Sequence, residues 1–73
     1  MRTPKQRIDN TLAARLTYYR LKEGLTQAQV AEKLIVGRST YNYYENGRTE
    51  PCIACLIALA DIFRVTVDEL VRT

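Results

Sequence analysis

Between Thr26 and Gly47 the chain reads TQAQVAEKLIVGRSTYNYYENG, a string that few folds can accept. Thr26 followed by Gln29 is a capping box, in which a hydroxyl and an amide satisfy backbone donors that the first helical turn leaves free. Val30, Ala31 and Leu34 then recur at helical spacing and face inward. Ile35, Val36 and Gly37 interrupt the pattern. Arg38 to about Glu45 resumes it, with Tyr41 and Tyr44 on the inner face, and Asn46-Gly47 stops it as a strong turn signal. The prediction is two short helices joined by a tight turn. The second carries Arg38, Ser39, Asn42 and Tyr43 on one face, opposite Tyr41 and Tyr44.

The flanking sequence predicts further helices. Residues 1–10 read as a flexible basic arm, and residues 11–73 as one domain. Asp9, Asn10 and Thr11 are candidate caps for a first helix, whose buried face is Leu12, Leu16 and Tyr19. Gly24 ends that helix in the left-handed conformation. Pro51 sits near the start of a fourth helix, where Ile53, Leu56, Leu59, Ala60 and Phe63 make a wide apolar stripe. Thr66 and Glu69 form a second capping box ahead of Val67, Leu70 and Val71. No alternating strand pattern, repeat or interdomain linker is visible. The expected fold is all-α, five short helices around one core.

With 73 residues there is room for one small core, and 47% apolar content is enough to fold it. No apolar run reaches the roughly 18 residues that span a bilayer, and no signal peptide is visible, so a cytoplasmic protein is expected. The chain has no His and two Cys, which excludes most metal and acid–base constellations. No cofactor, metal or small-molecule substrate is expected, nor any catalytic group. Charge is uneven. Residues 1–49 hold nine Lys/Arg against four Asp/Glu, +5, and residues 50–73 hold two against four, −2. The basic part contains the polar-faced helix, as phosphate contact requires.

These residues together resemble the Cro/phage-repressor type of helix-turn-helix proteins. The likeness covers roughly Leu12 to Val71. It rests on GLTQ at 24–27, VAEKL at 30–34, RST at 38–40, YENGRTEP at 44–51 and VTVDEL at 65–70. It implies a lambda-repressor-like domain whose third helix enters the major groove of double-stranded DNA, a groove about 12 Å wide. Similar proteins set the start of that helix against base edges, here Arg38 and Ser39, then Asn42 and Tyr43. Arg38 suits guanine O6 and N7, and Asn42 suits adenine N6 and N7. Phosphate contacts are expected from Thr26 and Gln27 at the start of the second helix, and from Thr40, Asn46 and Arg48. Arg2, Lys5 and Arg7 either follow the DNA or serve as a solubilising tail.

The resemblance also implies an ion pair between Arg20 and Glu45 that fixes the angle of the reading helix; the alternative is two solvated charges. The chain departs from the family pattern in several places. Ile35 stands where Gly is usual, and a β-branched residue is disfavoured at positive φ. Gly37 replaces a Ser or Thr cap, Tyr41 an Ile or Val, and Arg64 a frequent Gly. These departures leave the path of the turn and the tilt of the third helix open.

The implied function is sequence-specific transcriptional regulation in a prokaryotic or phage-infected cell, by a homodimer on a palindromic operator, as a repressor that excludes polymerase; activation by touching polymerase is equally compatible with the sequence. Ile62, Val65, Val67 and Val71 are candidates for the dimer surface, since one small core has little room for all of them. The alternative is a protein-interaction module, an antitoxin or adaptor built on the same fold. Cys52-x-x-Cys55 raises a third class, a thiol redox or metal protein. Against it, no further Cys or His completes a zinc site, and a cap plus a small buried side chain accounts for both residues.

Overall fold

In the computed structural model, which describes residues 11–71, the chain forms α1 (Leu12–Lys22), α2 (Gln27–Leu34), α3 (Arg38–Asn46), α4 (Ile53–Phe63) and α5 (Val67–Val71). No strand occurs among the described residues. The basic arm expected at residues 1–10 lies outside them.

Each helix start follows from its cap. Thr11 Oγ1 accepts from the Ala14 N–H at 3.2 Å. Thr26 Oγ1 accepts from the Gln29 N–H at 3.0 Å, and Gln29 Oε1 accepts from the Thr26 N–H at 2.8 Å. Thr66 and Glu69 repeat that exchange at 3.1 and 2.8 Å. Gly37 and Cys52 cap α3 and α4 without a side-chain hydrogen bond.

Helix ends follow a common scheme. Gly24, Ile35, Gly47 and Arg64 all take positive φ, at 72°, 62°, 77° and 63°. In each case the next residue donates its N–H five positions back: Leu25 to Arg20, Val36 to Ala31, Arg48 to Tyr43, Val65 to Ala60. This is the Schellman closure, in which an apolar residue after the left-handed position packs back on the helix. Leu25, Val36 and Val65 do so, each partly buried against the core.

Ile35 therefore keeps the route a glycine would take, and the strain stays. It is 88% exposed, so burial returns almost nothing. An L-residue in this region costs roughly 1–2 kcal/mol, while glycine gives back about 0.5–1 through its freer unfolded chain. Ile35→Gly is expected to raise stability by about 0.5–1 kcal/mol, a gain of a few degrees in Tm for a domain of this size. A thermal melt with an unchanged or lower midpoint would show the turn to be relaxed.

The core is Leu16, Val30, Ala31, Tyr41, Leu59, Ala60, Phe63 and Leu70, none more than 4% exposed. α3 packs against α1 and α2, α4 against α2 and α5, and α5 returns to α1, closing the ring. Arg15 ties that last joint, its guanidinium donating to the Glu69 carbonyl at 2.8 Å. Ala31 is buried at the close approach of α2 and its neighbours, where a larger side chain would push them apart.

One expectation is corrected. Ile53 does not join the apolar stripe of α4. It is the first residue of the helix and is 74% exposed, because the stripe outruns the elements that cover it. The proposed dimer set also divides. Ile62, Val65 and Val67 pack partly buried against the chain's own core, and Val71 is exposed.

Candidate nucleic-acid interface

The cap of α2 and the first two turns of α3 share one outer surface. Gln27, Arg38, Ser39, Asn42 and Tyr43 line a shallow open cleft there. Arg38 is the first residue of α3 and is exposed, as are Ser39, Thr40 and Tyr43. All four base-contact candidates thus meet on one face, and Tyr41 and Tyr44 take the other. Tyr41 is fully buried, with Tyr44 packed edge-on to it at 6.1 Å. Thr26, Asn46 and Arg48 are exposed around the cleft side of α2 and α3. The Arg48 guanidinium lies 5.4 Å over the Tyr43 ring, which steadies both side chains.

Behind this face stands a single carboxylate. Glu45 takes Arg20 Nε at 2.7 Å and Nη2 at 3.2 Å, a two-point grip. It also accepts from Thr17 Oγ1 at 3.0 Å, Gln27 Nε2 at 2.9 Å and the Tyr41 hydroxyl at 2.5 Å. The pair is no solvated surface contact, with side chains 13% and 4% exposed. Burial pushes the Glu45 carboxyl up, but donation from Arg20, Tyr41, Gln27 and Thr17 outweighs it and holds the group below its ordinary range. The same bond raises Arg20, and burial beside the carboxylate raises the Tyr41 phenol. Arg20 spans further, donating to the Leu25 carbonyl at 2.9 Å. It joins α1, the loop before α2 and the end of α3.

Sequence reasoning found the Arg20–Glu45 pair and missed the other donors. The Tyr41–Glu45 spacing of one helical turn was the available signal. Gln27, expected at a phosphate, directs its side chain between Glu45 and Asn42 instead. Its position as first residue of α2, beside that helix's free backbone donors, is as expected.

The carboxylate also sets the sense of a hydrogen-bond chain that reaches the outer face. An ionised carboxylate only accepts, so Gln27 must turn its NH₂ toward Glu45 and its carbonyl outward. That carbonyl accepts from Asn42 Nδ2 at 3.0 Å. Asn42 Oδ1 in turn accepts from Asn46 Nδ2 at 3.0 Å. Asn42 keeps one amide hydrogen and one oxygen lone pair, which is what a two-point contact to a base edge uses.

A family model described as helix-turn-helix matches residues 16–70. The chain is 41% identical over 56 residues to the HTH-type transcriptional regulator AnsR of Bacillus subtilis, covering 77% of this chain and 48% of that protein. It is 34% identical over 56 residues to the CTXphi transcriptional repressor RstR of Vibrio cholerae, covering 77% of this chain and 50% of that protein. The chain therefore spans about half the length of these relatives. The crystal structure of a transcriptional regulator from Listeria innocua superposes with a TM-score of 0.79 at 40% identity, covering 86% of this chain and 59% of that one.

Proposed function

Because the chain belongs to the Cro/phage-repressor type of helix-turn-helix proteins, we propose that it is a sequence-specific DNA-binding transcriptional regulator that reads the major groove with α3. The observation that carries this reading is the convergence of Arg38, Ser39, Asn42 and Tyr43 on one open cleft beside the start of α2. Arg38 and Asn42 have the donor and acceptor sets for a guanine and an adenine. Backbone N–H groups at the start of α2, with Thr26, Thr40, Asn46 and Arg48, take phosphates and fix the register.

One protomer covers only a few base pairs. A twofold homodimer on a palindromic operator, with half-sites about 34 Å apart, supplies the rest of the specificity. Repression is steric: the bound dimer covers a promoter and excludes polymerase. No helix among the described residues is long and apolar enough to cross a membrane. The setting proposed is the cytoplasm of a prokaryotic or phage-infected cell.

Selection from a random DNA pool at about 150 mM salt, where phosphate-only binding is already weak, tests this directly. A palindromic motif is expected. Arg38→Ala should then lose about 1–3 kcal/mol on that motif and relax one position in each half-site. Recovery of no motif would overturn the reading and turn the search to a protein partner.

A further inference from the structure

Neither DNA contact nor core packing uses the thiols of Cys52 and Cys55. Both are free; Cys52 is exposed and Cys55 half-buried. Cys52 is the N-cap of α4, and Cys55 is the third residue of that helix. At the same two positions of α2, the Thr26 and Gln29 side chains fold over one another's backbones. Before α5, Thr66 Oγ1 and Glu69 Oε1 lie 3.3 Å apart. At α4 the same two positions carry two sulfurs, and Cys52, which makes no cap hydrogen bond, leaves its sulfur uncommitted to the helix backbone. Helix geometry spaces such Cα atoms about 5–6 Å apart, inside the roughly 4.4–6.8 Å that a disulfide spans.

We propose that Cys52 and Cys55 form a peroxide-reactive dithiol that closes into a disulfide at the start of α4, and that α3 feels the closure through Tyr44. Cys52 is the attacking sulfur. It is exposed at the start of α4, makes no cap hydrogen bond, and its thiol is lowered by the nearby N–H groups, that of Cys55 first, and by the Cys55 thiol, which favours the thiolate. Cys55 is raised, first by burial and then by Cys52, so it remains a thiol and resolves the intermediate. The Cys52 thiolate displaces hydroxide from hydrogen peroxide and becomes a sulfenic acid. The Cys55 sulfur then attacks the Cys52 sulfur, its proton leaving with the hydroxyl as water. Two electrons pass from the thiols to the peroxide.

The Tyr44 phenol stands beside the Cys55 thiol, and its own pKa is raised by burial and by that neighbour. Tyr44 belongs to α3 and packs edge-on against Tyr41, which bonds Glu45. Closing the disulfide draws the Cys55 sulfur toward Cys52 and removes this partner from the inner side of α3.

The dithiol half stands apart from the DNA-binding reading, and the coupling half rests on it. The test treats the full chain with hydrogen peroxide and follows mass, free thiols and operator affinity. The expected product is monomeric, has no free thiol, is lighter by two hydrogens and is restored by dithiothreitol. Cys55→Ser should stop at a sulfenic acid on Cys52 that dimedone traps; Cys52→Ser should react slowly. Sulfinic acid, or disulfides only between chains, would overturn the dithiol. The oxidised chain should bind the selected operator about fivefold or more weakly, the low end of ordinary coupling between sites. The double Cys→Ser variant should show no such change. A disulfide with unchanged affinity would overturn the coupling. A reduced chain that selects no DNA motif would fail the DNA reading while the mass and trapping results still decide the dithiol.

Discussion

Glu45→Ala is expected to lower stability by about 2–4 kcal/mol, because it leaves the partly buried Arg20 guanidinium with no opposite charge. A chain of this length holds only about 4–11 kcal/mol in total, so such a loss is a large fraction of the whole. Arg20→Ala removes the other half and leaves the carboxylate with neutral donors alone. It should cost less, loosen α3 and weaken DNA binding, although Arg20 is held behind the outer face by Glu45 and the Leu25 carbonyl. Urea titration of each variant gives the stabilities. A loss under about 0.5 kcal/mol for Arg20→Ala, with affinity unchanged, would make the pair an ordinary surface contact. The acid side offers a second reading of the same group. Glu45 is lowered in the folded chain, so its contribution is complete above the unfolded carboxylate value, near 4.3, and fades as pH falls toward the lower folded value. Glu45→Gln should flatten the stability curve over that window.

Phe63→Ala is expected to be comparably severe, at about 3–5 kcal/mol. The ring is 1% exposed at the last turn of α4, just before the left-handed Arg64. Its loss opens a cavity among Leu59, Leu70 and their neighbours, beside a helix end that is already strained. The control lies on the same helix. Ile53→Ala removes an apolar side chain of similar hydrophobicity from an exposed position and should change stability by no more than about 0.5 kcal/mol. Equal losses at the two positions would show that α4 packs differently from the arrangement described.

The helices were legible because their ends are written locally. Thr11, Thr26 with Gln29, and Thr66 with Glu69 declare starts through hydrogen bonds of three residues' reach. Gly24 and Asn46-Gly47 declare stops. The shared face of residues 38, 39, 42 and 43 follows from helical period alone. What escaped the sequence depends on distant parts of the chain. Ile53 fits its stripe by spacing, but spacing does not say where the covering helices end. Val65 looked free for a partner, yet the Schellman closure at Arg64 turns it onto the core. The inward turn of Gln27 needed Glu45, eighteen positions on, to be placed against it.

The directed chain from Glu45 through Gln27 to Asn42 bears on how recognition can change by descent. The donor or acceptor that Asn42 offers outward is dictated by an interior charge, so the face is not a row of independent letters. A substitution at position 42 alone strands the Gln27 carbonyl, and one at 27 alone frees Asn42 to turn over. On the proposed reading, new DNA preferences in such a lineage should therefore arrive as correlated changes at 27 and 42, with Glu45 as the fixed point about which they vary.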